Sequence, residues 1–312
     1  MIPNILFLLG PSGSGKTELS LELAKRLKAE IVSSDSMLIY RGMDIGTAKP
    51  TRIERRRIPH HLMDLVSPRS NFSVYQYRQK ALAAIRQILK RERTPLVVGG
   101  SGLYVLALWK GLSAHPGENP KIREKLMDRA EKKGLSFLYE RLQKLDPVRA
   151  QEIHSNDQRR IVRALEIFEV SGKTPSEGHG ERQSLADLGY SVRFFGIERE
   201  RAELYERINE RVKEMFRKGW VQEVRRLKKR GFSKTARQAL GYREILKFLN
   251  ERPRGEVVSP LPISLIQQKT RQFAKRQLTW FRREKEIEWI PWLKGEKAAS
   301  VCDKIMQRVN HA

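Results

Sequence analysis

The sequence predicts an α/β protein: a parallel sheet flanked by helices, interrupted by an inserted all-helical domain. Three observations carry this. Short apolar runs alternate with helical patterns through the first hundred residues, which is how parallel strands joined by crossover helices read. Residues 10–17, Gly10-Pro11-Ser12-Gly13-Ser14-Gly15-Lys16-Thr17, match the phosphate-binding pattern G-x-x-x-x-G-K-[ST] between a strand and a helix, which makes the core P-loop NTPase-like. From about residue 116 to 188 the chain then reads almost purely helical, and a structureless connection of that length inside one sheet is uncommon.

In chain order, Ile5–Leu9 is a fully apolar run and reads as a buried strand. The helix over 16–28 places Leu19, Leu23 and Leu27 four apart on one face. A second strand spans 30–34, and a helix over 74–93 leads to a third strand at 95–98. The insertion carries helical patterns at 121–133, 135–145 and 157–171, and leaves through a Gly/Ser/Pro/His stretch, 172–180, that reads as a mobile loop. A fourth strand at 192–197 rejoins the sheet. Long basic helices follow at 198–230, 234–250, 263–286 and 296–309. The expected domains are a core of 1–115 with 189–312, and a helical insertion at 116–188.

A chain of 312 residues is long enough for an α/β core plus an added module. Its 62 Lys and Arg against 36 Asp and Glu leave a net charge of +26, a self-repelling field for which a small-molecule kinase has no use. Nucleic acid is the natural partner, because neutralising phosphates releases counterions; an anionic membrane surface is the rival. No apolar run approaches the ~18–20 residues of a membrane span. The start, Met1-Ile2-Pro3-Asn4, runs straight into the first strand, so no leader peptide is expected. One cysteine, Cys302, excludes an internal disulfide and a Cys-rich zinc site, and reads as an inert packing residue. A cytoplasmic monomer is the expectation.

The chemistry gathers at the strand ends. Loop N–H groups and the following helix N-terminus favour a phosphorylated ligand, with Lys16 reaching its outer phosphates and the Thr17 hydroxyl on Mg2+. Asp35 closes the second strand, beside the loop in a doubly wound sheet. There a carboxylate serves as a magnesium ligand, as a proton acceptor, or merely as the cap of an Asx turn. The third strand ends in Gly99-Gly100-Ser101-Gly102 where most P-loop NTPases place a magnesium-binding Asp. Asp64 is a substitute that nothing in its context demands. The loop, nucleotide-binding and ATP-binding by pattern, is therefore suited to hold a diphosphate without hydrolysing a triphosphate. Three basic stretches, 52–57, 158–163 and 275–283, compete for nucleic acid. In the third, Trp280 and Phe281 alternate with the cations, as on surfaces that stack bases, though an aromatic at helical spacing is more often core.

Taken together these segments resemble the tRNA dimethylallyltransferase (isopentenyltransferase) family, bacterial type, over nearly the whole chain. The resemblance rests on the P-loop and on the stretch from Asp35 to Pro50, Asp-Ser-Met-Leu-Ile-Tyr-Arg-Gly-Met-Asp-Ile-Gly-Thr-Ala-Lys-Pro. It rests also on Gly99-Gly-Ser-Gly-Leu-Tyr104, on Asn156-Asp-Gln-Arg-Arg-Ile-Val-Arg-Ala-Leu-Glu166, on Ala239-Leu-Gly-Tyr-Arg-Glu244, and on Thr270-Arg-Gln-Phe-Ala-Lys-Arg-Gln-Leu-Thr-Trp280. It implies transfer of a dimethylallyl group from dimethylallyl diphosphate to N6 of the adenosine 3′ of the anticodon, with diphosphate released. Residues 10–17 would hold the donor. Asp35, Thr17 and Arg211 would form the catalytic set, with Arg207 as the alternative arginine. The family's positions on the tRNA anticodon stem-loop map onto Asp35, Ser36, Met37 and Leu38, and onto Ser101 and Arg123. They continue on Gln158, Arg159, Arg160 and Ile161, on Arg237, Gly241 and Tyr242, and on Lys275, Arg276, Gln277, Trp280 and Arg282. The family usually carries Gln where Leu38 stands, and leucine cannot hydrogen-bond a base edge.

Two rivals compete with this reading. A P-loop small-molecule kinase accounts for the loop and Asp35 but not for the charge. A non-enzymatic, nucleotide-switched RNA-binding protein accounts for the charge and would hold GTP or ATP tightly.

Overall fold

The computed structural model describes residues 5–113, 115–178, 182–251 and 261–310. Residues 1–4, and 179–180 of the loop leaving the insertion, lie outside the described residues; 172–178 form a bend and turns. The chain divides into two units, Met1–Trp109 with Leu185–Ala312, and Lys110–Ser184. The second unit begins and ends a few residues earlier than the sequence suggests. Leu185 is fully buried in the core of the first unit, and its N–H donates to Trp109 O at 2.8 Å.

In the first unit the strands are β1 (Ile5–Leu9), β2 (Ala29–Ser33), β3 (His60–His61), β4 (Thr94–Gly99), β5 (Val192–Glu198) and β6 (Ile287–Pro291). They form one sheet in the order β3-β2-β4-β1-β5-β6, every neighbouring pair parallel. β1 sits inside it, with Leu8 opposite Val98 on one side and Phe195 on the other. Both faces of β1 are covered, so it is apolar throughout: Ile5, Phe7 and Leu9 join one core, Leu6 and Leu8 the other. The chain passes over β4 to build β2 and later returns past β1 to build β5. That reversal opens a crevice at the carboxyl ends of β1 and β4.

Helices α1 (Lys16–Arg26), α2 (Arg52–Arg57), α3 (Val74–Lys90) and α4 (Gly102–Trp109) belong to the first unit. The second unit holds α5 (Pro120–Lys133), α6 (Leu135–Leu145), α7 (Pro147–Gln151) and α8 (Gln158–Ser171) around Leu126, Leu138, Leu142, Ile161 and Leu165. Back in the first unit come α9 (Arg201–Arg217), α10 (Trp220–Arg230), α11 (Lys234–Arg237), α12 (Tyr242–Asn250), α13 (Ile263–Phe281) and α14 (Ala298–Asn310). On one face of the sheet α3, α4, α10, α12 and α13 contribute to the core; on the other, α1 and α14 do. Cys302 lies in that second core, where burial pushes its thiol up to about 11.

Two expected helices are each broken in two. Gly219, at φ 92, separates α9 from α10, and Gly241, at φ 82, opens α12. A Cβ on Gly241 would stand 2.0 Å from Trp220, so that turn needs glycine for space as well as for conformation. The sequence pattern also missed β3 and β6. β3 is two residues long, and β6 is an edge strand ending in proline, a position where a sheet tolerates it.

Candidate active site

β1 ends against the crevice, and residues 10–15 turn the chain into α1. Gly10, Gly13 and Gly15 all have positive φ. At Gly13 a Cβ would stand 2.8 Å from Ile208, and at Gly15 2.8 Å from Trp292, so the loop lies flush on its neighbours. No side chain caps α1, which leaves its N-terminal dipole open to an anion. Loop carbonyls are instead held from behind. Arg207 Nε donates to Gly13 O at 3.0 Å and Arg199 Nε to Ser14 O at 2.9 Å. Lys16 Nζ donates to Gly10 O and Pro11 O, both at 2.7 Å.

The loop floors a cavity of about 590 Å3, onto which Lys16, Thr17, Asp35, Leu38, Arg207 and Arg211 also open. Burial first, then the charge of Arg211, pulls the Lys16 ammonium down to about 7, against the opposing pull of Asp35. Arg211 is likewise disfavoured as a cation by burial and by Arg207, and favoured by Asp35. Two cations in one partly desolvated space are stabilised by an anion between them.

Asp35 follows β2. Its Oδ1 accepts the Met37 N–H at 2.8 Å, so the Asx turn is real and holds the carboxyl still. Oδ2 takes no hydrogen bond among the described residues. Ser36 and Ser101 bind each other: Ser36 N–H donates to Ser101 Oγ at 3.1 Å. A second cavity of about 480 Å3 opens beyond them, lined by Ser36, Met37, Ser101, Trp220, Phe273 and Arg276 among others. Asp35 and Arg211 line both cavities. The arrangement suits group transfer between a phosphorylated donor on one side and a planar acceptor on the other.

A family model described as IPP transferase matches residues 38–284. The chain belongs to this family. It is 47% identical over 290 residues to a tRNA dimethylallyltransferase of Geobacter metallireducens, covering 92% of each chain. It is 42% identical over 308 residues to one of Carboxydothermus hydrogenoformans, covering 98% of this chain and 97% of the other. Among solved structures, a tRNA isopentenylpyrophosphate transferase from Bacillus halodurans superposes with a TM-score of 0.70 at 35% identity, over 99% and 97% of the two chains. A eukaryotic dimethylallyltransferase acting on tRNA superposes with a TM-score of 0.80 at 27% identity, over 98% of this chain and 78% of that one.

Within this IPP transferase fold, Ser12, Gly13, Gly15, Lys16, Thr17, Asp35 to Leu38, Ser101, Arg211 and Arg276 line the two cavities, whereas Gly10, Pro11 and Ser14 of the loop line neither. Leu38 faces the first cavity and not the second. Between the two candidate arginines, Arg207 braces the loop while Arg211 stands between the cavities. Lys275 and Arg237 are exposed on α13 and α11, and Arg282 is tied to Glu198 at 2.5 Å. In the second unit, Gln158, Arg159 and Arg160 are exposed on the first turn of α8, capped by Asp157.

The remaining expected RNA contacts are held by partners within the protein or packed into its cores. Ile161 is fully buried in the second unit's core, because it lies on the inward face of α8. Arg123 pairs with Glu118 and with Glu166, a carboxylate of zero exposure. Tyr242 lines the second cavity, but it is buried and its hydroxyl donates to Glu223 Oε1 at 2.5 Å. Gly241 is the tight turn against Trp220 described above. Gln277 is buried, its amide bonded to backbone at both ends. Trp280 is half-buried, packed on the main core and over Gly102. Asp64 does not line the first cavity and is engaged by two cations. Burial alone would raise its carboxyl, but Lys49 and Arg55, each at 2.6 Å, hold it below the usual range.

Sequence reasoning overlooked Glu223. Its carboxylate accepts the N–H groups of Asp44 and Ile45 at 3.0 and 2.8 Å, besides the Tyr242 hydroxyl. It thereby holds the 44–48 turn, whose Thr47 edges both cavities. An acidic residue inside the basic run of α10 was the only signal.

Proposed function

We propose that this chain transfers a dimethylallyl group from dimethylallyl diphosphate to N6 of the adenosine next to the anticodon on its 3′ side, releasing diphosphate. The observation that carries the reading is the pair Asp35 and Arg211, shared between a phosphate-loop cavity and a second cavity edged by aromatic and basic side chains.

The donor's diphosphate lies in the loop, where N–H groups, Lys16 and Arg211 stabilise the charge that grows as the C1–O bond breaks. The adenosine leaves its stack and enters the second cavity, a cost of a few kcal/mol repaid there by stacking and polar contacts. As N6 bonds to C1, its proton passes to Asp35 Oδ2, and the pair of electrons from the C1–O bond leaves on diphosphate. Arg211 lines both cavities together with Asp35.

Among the described residues no cluster of three His, Cys, Asp or Glu could hold a metal by itself. The Thr17 hydroxyl has no protein partner among them and opens on the first cavity, which fits a magnesium ion held mostly by diphosphate oxygens. Bound magnesium would neutralise charge on the leaving group. The acceptor is tRNA, the expected state a monomer and the compartment cytoplasmic. No helix among the described residues is long and apolar enough to cross a membrane.

The deciding experiment incubates the protein with labelled dimethylallyl diphosphate, magnesium and unmodified tRNA. Label should enter RNA at the adenosine named. ATP turnover on a small molecule with no label in RNA would replace this reading with a kinase.

A further inference from the structure

Successive residues of α13 serve two different surfaces. Lys275 and Arg276 are exposed, and Arg276 lines the second cavity. Gln277 turns inward and is 8% exposed. Its Oε1 accepts the Ser12 N–H at 2.8 Å, and its Nε2 donates to Gly100 O at 2.8 Å. The carbonyl and the amino end of the amide are both engaged and out of solvent. Gly100 accommodates the bond: a Cβ there would stand 2.4 Å from Nε2.

The Ser12 N–H belongs to the Pro11–Ser12 peptide, which is trans. N–H and C=O of a trans peptide point in opposite directions. Holding the N–H at Gln277 therefore aims Pro11 O the other way, where it accepts Lys16 Nζ at 2.7 Å. The side chain thus joins the turn after β4 to the phosphate loop, and through one peptide plane to the lysine that meets the donor.

We infer that Gln277 is a positioning residue of the phosphate loop: from α13 it locks the Pro11–Ser12 peptide and thereby seats Lys16. The inference deepens the proposed reading and rests on it. Gln277 acts on donor binding and on the chemical step, and makes no contact with RNA.

The test uses the full chain with two substitutions, Gln277→Met, which keeps length and removes both hydrogen bonds, and Gly100→Ala, which pushes the amide away. Binding of inorganic diphosphate with magnesium is measured by calorimetry, tRNA binding by filter retention, transfer kinetics with labelled donor, and melting temperature. Both variants should lose about tenfold in diphosphate affinity and in kcat/KM for the donor, with tRNA affinity within about twofold of the parent. Arg276→Ala should show the reverse pattern. Loss of tRNA affinity with diphosphate binding intact would make Gln277 an RNA contact. Equal loss of both, or no change in either, would equally overturn the inference. If the unsubstituted chain fails to bind diphosphate, it is the proposed function that falls, before Gln277 is tested.

Discussion

At the scale of single residues, Asp35 carries the sharpest consequence. One carboxylate oxygen is spent on the Met37 N–H, and the residue lines both cavities, so the amide of Asp35→Asn can keep the turn but cannot take a proton. Its single-turnover rate should fall roughly 10²–10⁴-fold with tRNA affinity near normal; an unchanged rate removes Asp35 from the mechanism. Lys16 makes a second prediction, with a definite sign. Its pKa is lowered in the folded protein to about 7 from 10.5, so between these values the unfolded chain binds more protons. Stability contributed at this site therefore rises with pH across that window. In buffer free of donor and magnesium, Lys16→Met should melt with a flatter dependence on pH from about 7 to 10 than the parent, and should bind diphosphate more weakly. A parallel pair of melting curves would show that Lys16 is not held in the desolvated setting described.

The element scale belongs to α13. Its buried positions Ile266, Ala274, Gln277 and Phe281 leave Lys275 and Arg276 outward. Replacing either cation with Ala should weaken all acceptor tRNAs about equally. Each loss should flatten log K against log salt by up to about one unit per phosphate contact. Arg282 is held by Glu198, so its loss should change the slope less. Equal slopes for parent and both variants would take this face off the RNA. Trp280 belongs chiefly to packing: half-buried over Gly102, its Ala variant should lose roughly 2–4 kcal/mol, at or below the usual range for a buried aromatic. Full stability with weakened tRNA binding would instead make it a stacking platform. Helical periodicity placed the start of α13 and located Lys275 and Arg276, but the helix ends at Phe281, short of the expected 286. Which inward residue reached the loop was not legible, since Gln277 and Ser12 are 265 residues apart.

At the scale of the whole molecule, the insertion Lys110–Ser184 is a compact unit of its own. The Leu185 N–H and the Trp109 carbonyl are 2.8 Å apart within the first unit, so a two-residue glycine link can replace Lys110–Ser184 without stretching the core. The second unit meanwhile closes its own core on Leu126, Leu138, Leu142 and Leu165. The shortened chain should melt cooperatively and retain diphosphate binding while tight tRNA binding is lost. Collapse of the melt together with diphosphate binding would mean that the insertion is needed to fold the sheet.

Local signals in the sequence determined what depends on neighbours within about ten residues. The five-residue apolar run became β1, the glycine-lysine pattern became the loop, and Asp157 capped α8 where the helix was expected to start. Each follows from backbone geometry, periodicity or capping, which act over one or two turns of chain. The charge of +26 likewise pointed to RNA without any coordinates. Only the tertiary structure decided which polar side chains line the cavities freely and which are held by partners inside the protein. Tyr242, Gln277 and Arg123 look like contact residues in one dimension, yet each ends on a partner that folding brings to it: Glu223, Ser12 with Gly100, and Glu166. Arg207 and Arg211 differ for the same cause. They stand one helical turn apart on α9 and both line the first cavity, but Arg207 also braces the loop while Arg211 also lines the second cavity, and no pattern along the chain marks that division.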